Sequence, residues 1–184
     1  MKNTTLDLRT YSFRSDDKLF FDANIWLFIY GPQRDAHNPR VTQYSSAFSK
    51  ALKNGCHIFI DDLILSEFIN RYAHLEFSRI KQETSQDYRN FKQFRNSPYF
   101  PTIAAAIASE LRRLFKHVKQ VDNGFSSMDI QRIISEYENG KSDINDQIIA
   151  HLCQSKGLVL VTDDGDFKET GLTIATVNKK LLND

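Results

Sequence analysis

The chain has 184 residues, the size of one compact domain, and its 41% hydrophobic and 26% charged residues are the balance of an ordinary soluble globular protein. Cys56 and Cys153 lie far apart and form no C-x-x-C pair, which excludes a disulfide framework and a cysteine zinc site and fits a reducing cytosol. The first residues, Met1 to Lys18, are polar and charged with no signal-peptide core, and no apolar run is long enough to span a bilayer. A cytoplasmic protein without membrane association is expected, and a net charge of +1 says nothing by itself about a polyanionic partner.

In chain order, the first apolar run is Lys18 to Asp22, continuing into Ala23 to Tyr30 and stopped by Gly31-Pro32. Gln43 to Asn54 has a helical pattern closed by Gly55, and His57 to Asp61 is the second strand. Leu63 onward reads as one long helix towards Asn96, before Pro98 and Pro101 interrupt, with residues 77–101 forming a helical excursion within the domain. Ala104 to His117 is a further helix, rich in strong helix formers, and a short third strand is expected near Val118 to Val121. Ser127 to Glu138 and Asp143 to Lys156 are helical, the second ending at Gly157, and the last two strands are Leu158 to Thr162 and Thr173 to Val177. Uniformly apolar strands alternating with helices predict a single domain over 1–184, a three-layer α/β/α sandwich with a central, mainly parallel sheet.

In such sheets ligands sit beyond the carboxyl ends of the strands. Asp22 ends the first run, Glu67 opens the helix after the second strand, Asp146 opens the helix feeding the fourth, and Asp164 follows it in Thr162-Asp-Asp-Gly-Asp-Phe167. Carboxylates gathered at one edge suit magnesium or manganese, hard cations that take oxygen ligands. Two such ions about 3.5–4 Å apart can activate water and steady the leaving oxygen of a phosphodiester. Setting aside Asp22, Glu67, Asp143, Asp146, Asp164 and Asp166 leaves 24 basic residues against 17 acidic, a body of +7 that suits a polyanion, though any acidic cluster gives that arithmetic.

Each acid also has an ordinary structural reading. Asp22 and the Asp163–Asp166 group suit turns, and Glu67 can pair with Arg71 four residues on. Asp143 reads as a helix N-cap, with Asp146 either the third residue of a capping box or a ligand. These readings are independent, and their coincidence at four strand ends is what argues against them jointly.

Phe21-Asp-Ala-Asn-Ile-Trp26, Leu65-Ser-Glu-Phe68, Asp143-Ile-Asn-Asp-Gln-Ile-Ile-Ala150 and Leu160-Val-Thr-Asp-Asp-Gly-Asp-Phe167, in this order, resemble the PIN-domain nucleases, which include the VapC-type toxins of bacterial toxin–antitoxin systems. The last two segments are the most specific, and the four frame Leu19 to about Asn178. The resemblance implies catalytic and metal-binding roles for Asp22, Glu67, Asp146 and Asp164, an auxiliary metal ligand at Asp166, and supporting roles for Asn24, Thr162 and, less regularly, Asp143. It implies magnesium or manganese as cofactor and RNA as substrate, with a small antitoxin and a homodimer as expected partners. The segment from about Phe77 to Pro101 is longer than in the smallest VapC-type toxins, which leaves toxin role, dimer and substrate open.

Arg89, Lys92 and Arg95 interleave with Tyr88, Phe91 and Phe94, a pattern that serves either RNA or a packing face. Arg112, Arg113, Lys116 and Lys119 form a second basic cluster, and Arg112 and Arg113 are further RNA-binding candidates. The five histidines lack metal-ligand spacing, and no P-loop, G-x-G-x-x-G or G-x-S-x-G occurs. An aspartate-nucleophile phosphatase would want an acid where Asn24 stands. A housekeeping RNA-processing nuclease and an inactive RNA-binding module are the remaining alternatives, and intact core acids weigh against the latter.

Overall fold

The apolar runs meet in one sheet whose pairings are all parallel. The computed structural model describes residues 2–32, 34–35, 37–84, 88–140 and 143–182. Its strands are β1 (Thr4–Asp7), β2 (Lys18–Phe21), β3 (His57–Ile60), β4 (Lys119–Gln120), β5 (Val159–Val161) and β6 (Thr173–Thr176), in the order β1-β6-β5-β2-β3-β4. Leu19, Phe20 and Phe21 are consecutive and all buried, as are Leu160 with Val161 and Ile174 with Ala175. Neighbours on a strand point to opposite faces, so both faces are covered, and the fold is an α/β sandwich.

The chain runs from β2 outward through β3 to β4, then returns to the other side of β2 with β5 and β6. The winding therefore reverses between β2 and β5, and the crevice at that reversal is where an open α/β sheet takes its ligand.

Three sequence expectations are corrected. The polar N-terminal stretch contains β1, which extends the sheet by pairing with β6 from Thr4 opposite Thr173 to Asp7 opposite Thr176. Its side chains are only partly buried at this edge, so no apolar run announces it. The apolar run beyond Asp22 is not strand but α1 (Ala23–Tyr30), closed where the Gly31 N–H donates to the Leu27 carbonyl; a Cβ at Gly31 would collide with that carbonyl. The expected helix from Leu63 to Asn96 is two: α3 (Asp62–Glu83) ends at Thr84 and α4 (Phe91–Arg95) follows, with Ser85 to Asp87 outside the described residues. Thr84 is extended and its hydroxyl donates to the Ile80 carbonyl, and Asn90 caps α4 by accepting from the Gln93 N–H.

The other helices are α2 (Pro39–Lys53), α5 (Phe100–Leu114), α6 (Ile130–Glu138, after a 3₁₀ turn at Phe125–Ser127), α7 (Ile144–Lys156) and α8 (Lys179–Leu182). Among the described residues no helix is long and apolar enough to cross a membrane. Away from the sheet, the distal half of α3 packs with α4 and the start of α5 around buried Phe94, whose ring lies 5.3 Å from Phe77, 5.7 Å from Tyr88 and 5.8 Å from Phe100. The aromatic pattern of 88–94 is thus a packing face.

Candidate active site

Asp22 follows β2 directly, at the N-cap of α1, and is 5% exposed. Its Oδ2 accepts a hydrogen bond from the Thr162 hydroxyl at 2.6 Å and another from the Asn24 amide at 2.6 Å. The Thr162 oxygen in turn accepts from the Asp164 backbone N–H at 3.0 Å. One buried hydroxyl therefore ties the carboxylate at the end of β2 to the loop after β5, across the point where the winding reverses. Asp164 caps the 3₁₀ turn Gly165–Phe167 by accepting from the Asp166 N–H at 3.0 Å, which orients that loop.

Asp146 lies in the first turn of α7, and Glu67 in the second turn of α3. Their nearness to the other acids shows in the electrostatics. Burial pushes the Asp22 carboxyl up to about 6, the Thr162 hydrogen bond opposes this, and the charges of Glu67 and Asp164 add to it. Burial also pushes Asp146 up to about 7, helped by Asp164, Asp143, Asp22 and Asp166. Asp22, Glu67, Asp146, Asp164 and Asp166 thus form one repelling set drawn from four segments of the chain.

The structural readings also hold in part. Glu67 pairs with Arg71 at 3.0 Å, while still acting on Asp22. Asp143 is the N-cap of α7, accepting from the Asn145 N–H at 2.8 Å, and its charge still raises Asp146. Asp163 faces α2, where it pairs with Arg40 at 3.0 Å, and the charge of Asp164 still acts on it.

Sequence reasoning missed two residues that shape this edge. The Tyr44 hydroxyl, buried under the loop after β5, lies 2.9 Å from Asp163 Oδ1, 3.1 Å from the Thr162 carbonyl and 3.1 Å from the Thr176 hydroxyl. In sequence it is one more aromatic on an amphipathic helix, and nothing marks its polar end. Asp61 caps α3 through a 2.9 Å bond from the Ile64 N–H, while its other oxygen is buried without a hydrogen-bond partner among the described residues, and burial pushes it up to about 6. Its place at the end of an apolar strand was the available signal.

A groove of about 980 Å³ runs from Asp146 and Asp166 between α6 and α7, lined in part by Met128, Arg132, Ile133 and His151. Among the described residues, no three His, Cys, Asp or Glu side chains close on a single point as metal ligands. The donor set is nonetheless what a hard cation takes: carboxylate oxygens alone, crowded enough to repel. Magnesium keeps several waters and uses one or two carboxylates, so an open, coupled set fits it.

The PIN domain family profile matches residues 19–172. The chain belongs to the PIN domain family. PIN domains are in general nucleases that use divalent metals. Among solved structures, the chain is similar to VapBC2 from Rickettsia felis bound to a DNA fragment from their promoter, with a TM-score of 0.50 and 16% identity over 86% of this chain and 97% of that one. It is also similar to PAE2754 from Pyrobaculum aerophilum, with a TM-score of 0.48 and 16% identity over 91% of this chain and 94% of that one. At such identities the likeness is one of fold. No curated protein sequence matches.

The basic candidates of this PIN domain fall in two places. Arg89, just before α4, and Lys92 and Arg95 on it are exposed. Arg112, Arg113, Lys116 and Lys119 do not share a helix face: the first two lie in the last turn of α5, Lys116 follows it, and Lys119 is on β4. Arg113 pairs with Glu110 at 2.8 Å and lies over the Tyr30 ring at 5.5 Å, so it is already committed to packing.

Proposed function

We propose that this PIN domain is an endoribonuclease that hydrolyses RNA phosphodiester bonds with magnesium or manganese held by Asp22, Glu67, Asp146 and Asp164, with Asp166 assisting. What supports the reading is that acids from four separate segments act on one another's charge: Glu67 and Asp164 on Asp22, and Asp164, Asp22 and Asp166 on Asp146, with Asp22 at the end of β2 tied to the loop after β5 through Thr162. A fold selected for stability alone has no reason to gather them there, since like charges in a half-buried site oppose folding.

A cation held by these acids would supply Lewis acidity and acidify a water enough for it to react near neutral pH. The protein's part is to keep the acids in place. Thr162 and Asn24 hold the Asp22 carboxylate, and the same threonine accepts from the Asp164 backbone N–H, so the end of β2 and the loop after β5 share one anchor. Burial and the neighbouring acids raise Asp146 to about 7, so near neutral pH its carboxyl is partly protonated, and a cation held there would compete with that proton.

Incubation with labelled RNA, with and without EDTA, tests the reading. Cleavage that stops on chelation and returns with added magnesium or manganese is expected; cleavage indifferent to EDTA, or none in either metal, overturns it. The solved complex from Rickettsia felis supports, by shared fold, the further reading that the chain is the toxin of a toxin–antitoxin pair.

A further inference from the structure

The helical lobe around α4 carries a second charge pattern, opposite in sign to the acidic crevice. Glu67, Arg71 and His74 stand at i, i+4 and i+7 on α3 and so share one face. The Phe91 ring of α4 stacks on the His74 ring, centroids 3.9 Å apart, in planes 17° from parallel. Seven residues of helix rise about 10 Å, so α4 sits two turns from the candidate glutamate along the face that bears it.

The inner side of α4 is fixed by rings, since Phe91 also meets Phe77 and Phe94 is fully buried. Its outer side presents Lys92 and Arg95, with Arg89 just before it, all exposed and without an ion pair among the described residues. The helix itself, Phe91-Lys-Gln-Phe-Arg95, contains no acid. Tyr99, four residues beyond Arg95, is 42% exposed. By contrast the arginines nearest along α3 are neutralised: Arg71 by Glu67, and Arg79 by Glu76 and Glu83 at 2.6 Å each.

We infer that the α4 lobe is a docking surface for the phosphate backbone of single-stranded RNA, holding the strand beside the site that cuts it. Three uncompensated cations on a rigid base attract a polyanion, and an exposed tyrosine offers a face to an unstacked base. Along α3 the arginines Arg71 and Arg79 are paired with acids, so Arg89, Lys92 and Arg95 offer a strand charge compensation that those two arginines do not. The inference rests on the nuclease reading for its substrate, but binding without turnover tests it separately.

The probe is a labelled single-stranded RNA of about 20 nucleotides, long enough to bridge lobe and crevice, titrated onto the full chain in EDTA. Arg89→Ala/Lys92→Ala/Arg95→Ala is expected to bind on the order of tenfold more weakly at low salt, with a log–log salt slope smaller by about 2, as loss of three phosphate contacts requires. Its melting temperature should match the parent, because all three side chains are exposed. The charge-preserving Arg89→Lys/Lys92→Arg/Arg95→Lys variant should bind like the parent. Unchanged affinity and slope in the alanine variant overturn the inference, as does equal weakening in the charge-preserving one. A chain that binds RNA through α4 yet never cleaves it sinks the nuclease reading alone; one that cleaves, with binding indifferent to α4, sinks this inference alone.

Discussion

The acidic crevice and the aromatic lobe are built on the two ends of the same helix, α3, and they spend stability in opposite directions. At the crevice, burial and mutual repulsion push Asp22 up to about 6 and Asp146 up to about 7, and hydrogen bonds from the Thr162 hydroxyl and the Ala23 backbone oppose the shift at Asp22. At the lobe, rings interlock about Phe94 and the charges stay outside. The difference teaches that the two regions answer to different demands. A packed lobe is what folding produces unaided, whereas a crowded acidic edge needs something beyond the chain to make it favourable.

Removing a crevice charge should separate activity from stability most sharply. Asp22→Asn keeps an oxygen able to accept from both Thr162 and Asn24, so the local shape survives. RNA cleavage should fall by at least about 100-fold, the upper end of what loss of mere supporting contacts around a metal costs. The melting temperature of the metal-free protein should stay equal or rise, as a calorimetric scan would show. A large fall in melting temperature would make Asp22 structural and erase the contrast.

The lobe should behave the other way. Phe94→Ala removes a fully buried ring and is expected to cost about 3–5 kcal/mol of stability. Denaturant melts would read this as a lower midpoint, while the crevice acids of the folded fraction keep their metal affinity in a calorimetric titration. A loss below about 1 kcal/mol would mean that the lobe is loosely packed and collapses around the missing ring.

The smallest effect is the pH dependence. Asp22, Asp61 and Asp146 have folded pKa values above the usual carboxylate range, so the folded state takes up protons before the unfolded chain does. Their stabilising contribution is fully present below about pH 4 and is lost as pH rises through about 6 to 7. With buffers between pH 5 and 8, the metal-free protein should melt a few degrees lower at the alkaline end from this source. Saturating magnesium should flatten that slope for Asp22 and Asp146 and leave the Asp61 share, because Asp61 caps α3 rather than joining the repelling set. An alkaline rise in metal-free melting temperature would contradict the raised values.

What the sequence determined on its own was the set of strands with apolar runs, the parallel α/β architecture, and the order of the acid-bearing segments. Those features are written in local pattern: Leu158 to Thr162 is apolar because both its faces are covered, and Asp22 or Asp164 is visible because it follows such a run. The tertiary structure alone decided the rest. β1 exists because β6 offers it an edge, and α1 is a helix because the chain must turn off the sheet at Asp22, where its apolar residues would equally suit a strand. The break between α3 and α4 places Phe91 on His74, a contact across the chain that helical periodicity does not record. Thr162 meets Asp22 across 140 residues and Tyr44 meets Thr162 across 118, so these roles at the crevice come from how distant segments meet, which no local pattern carries.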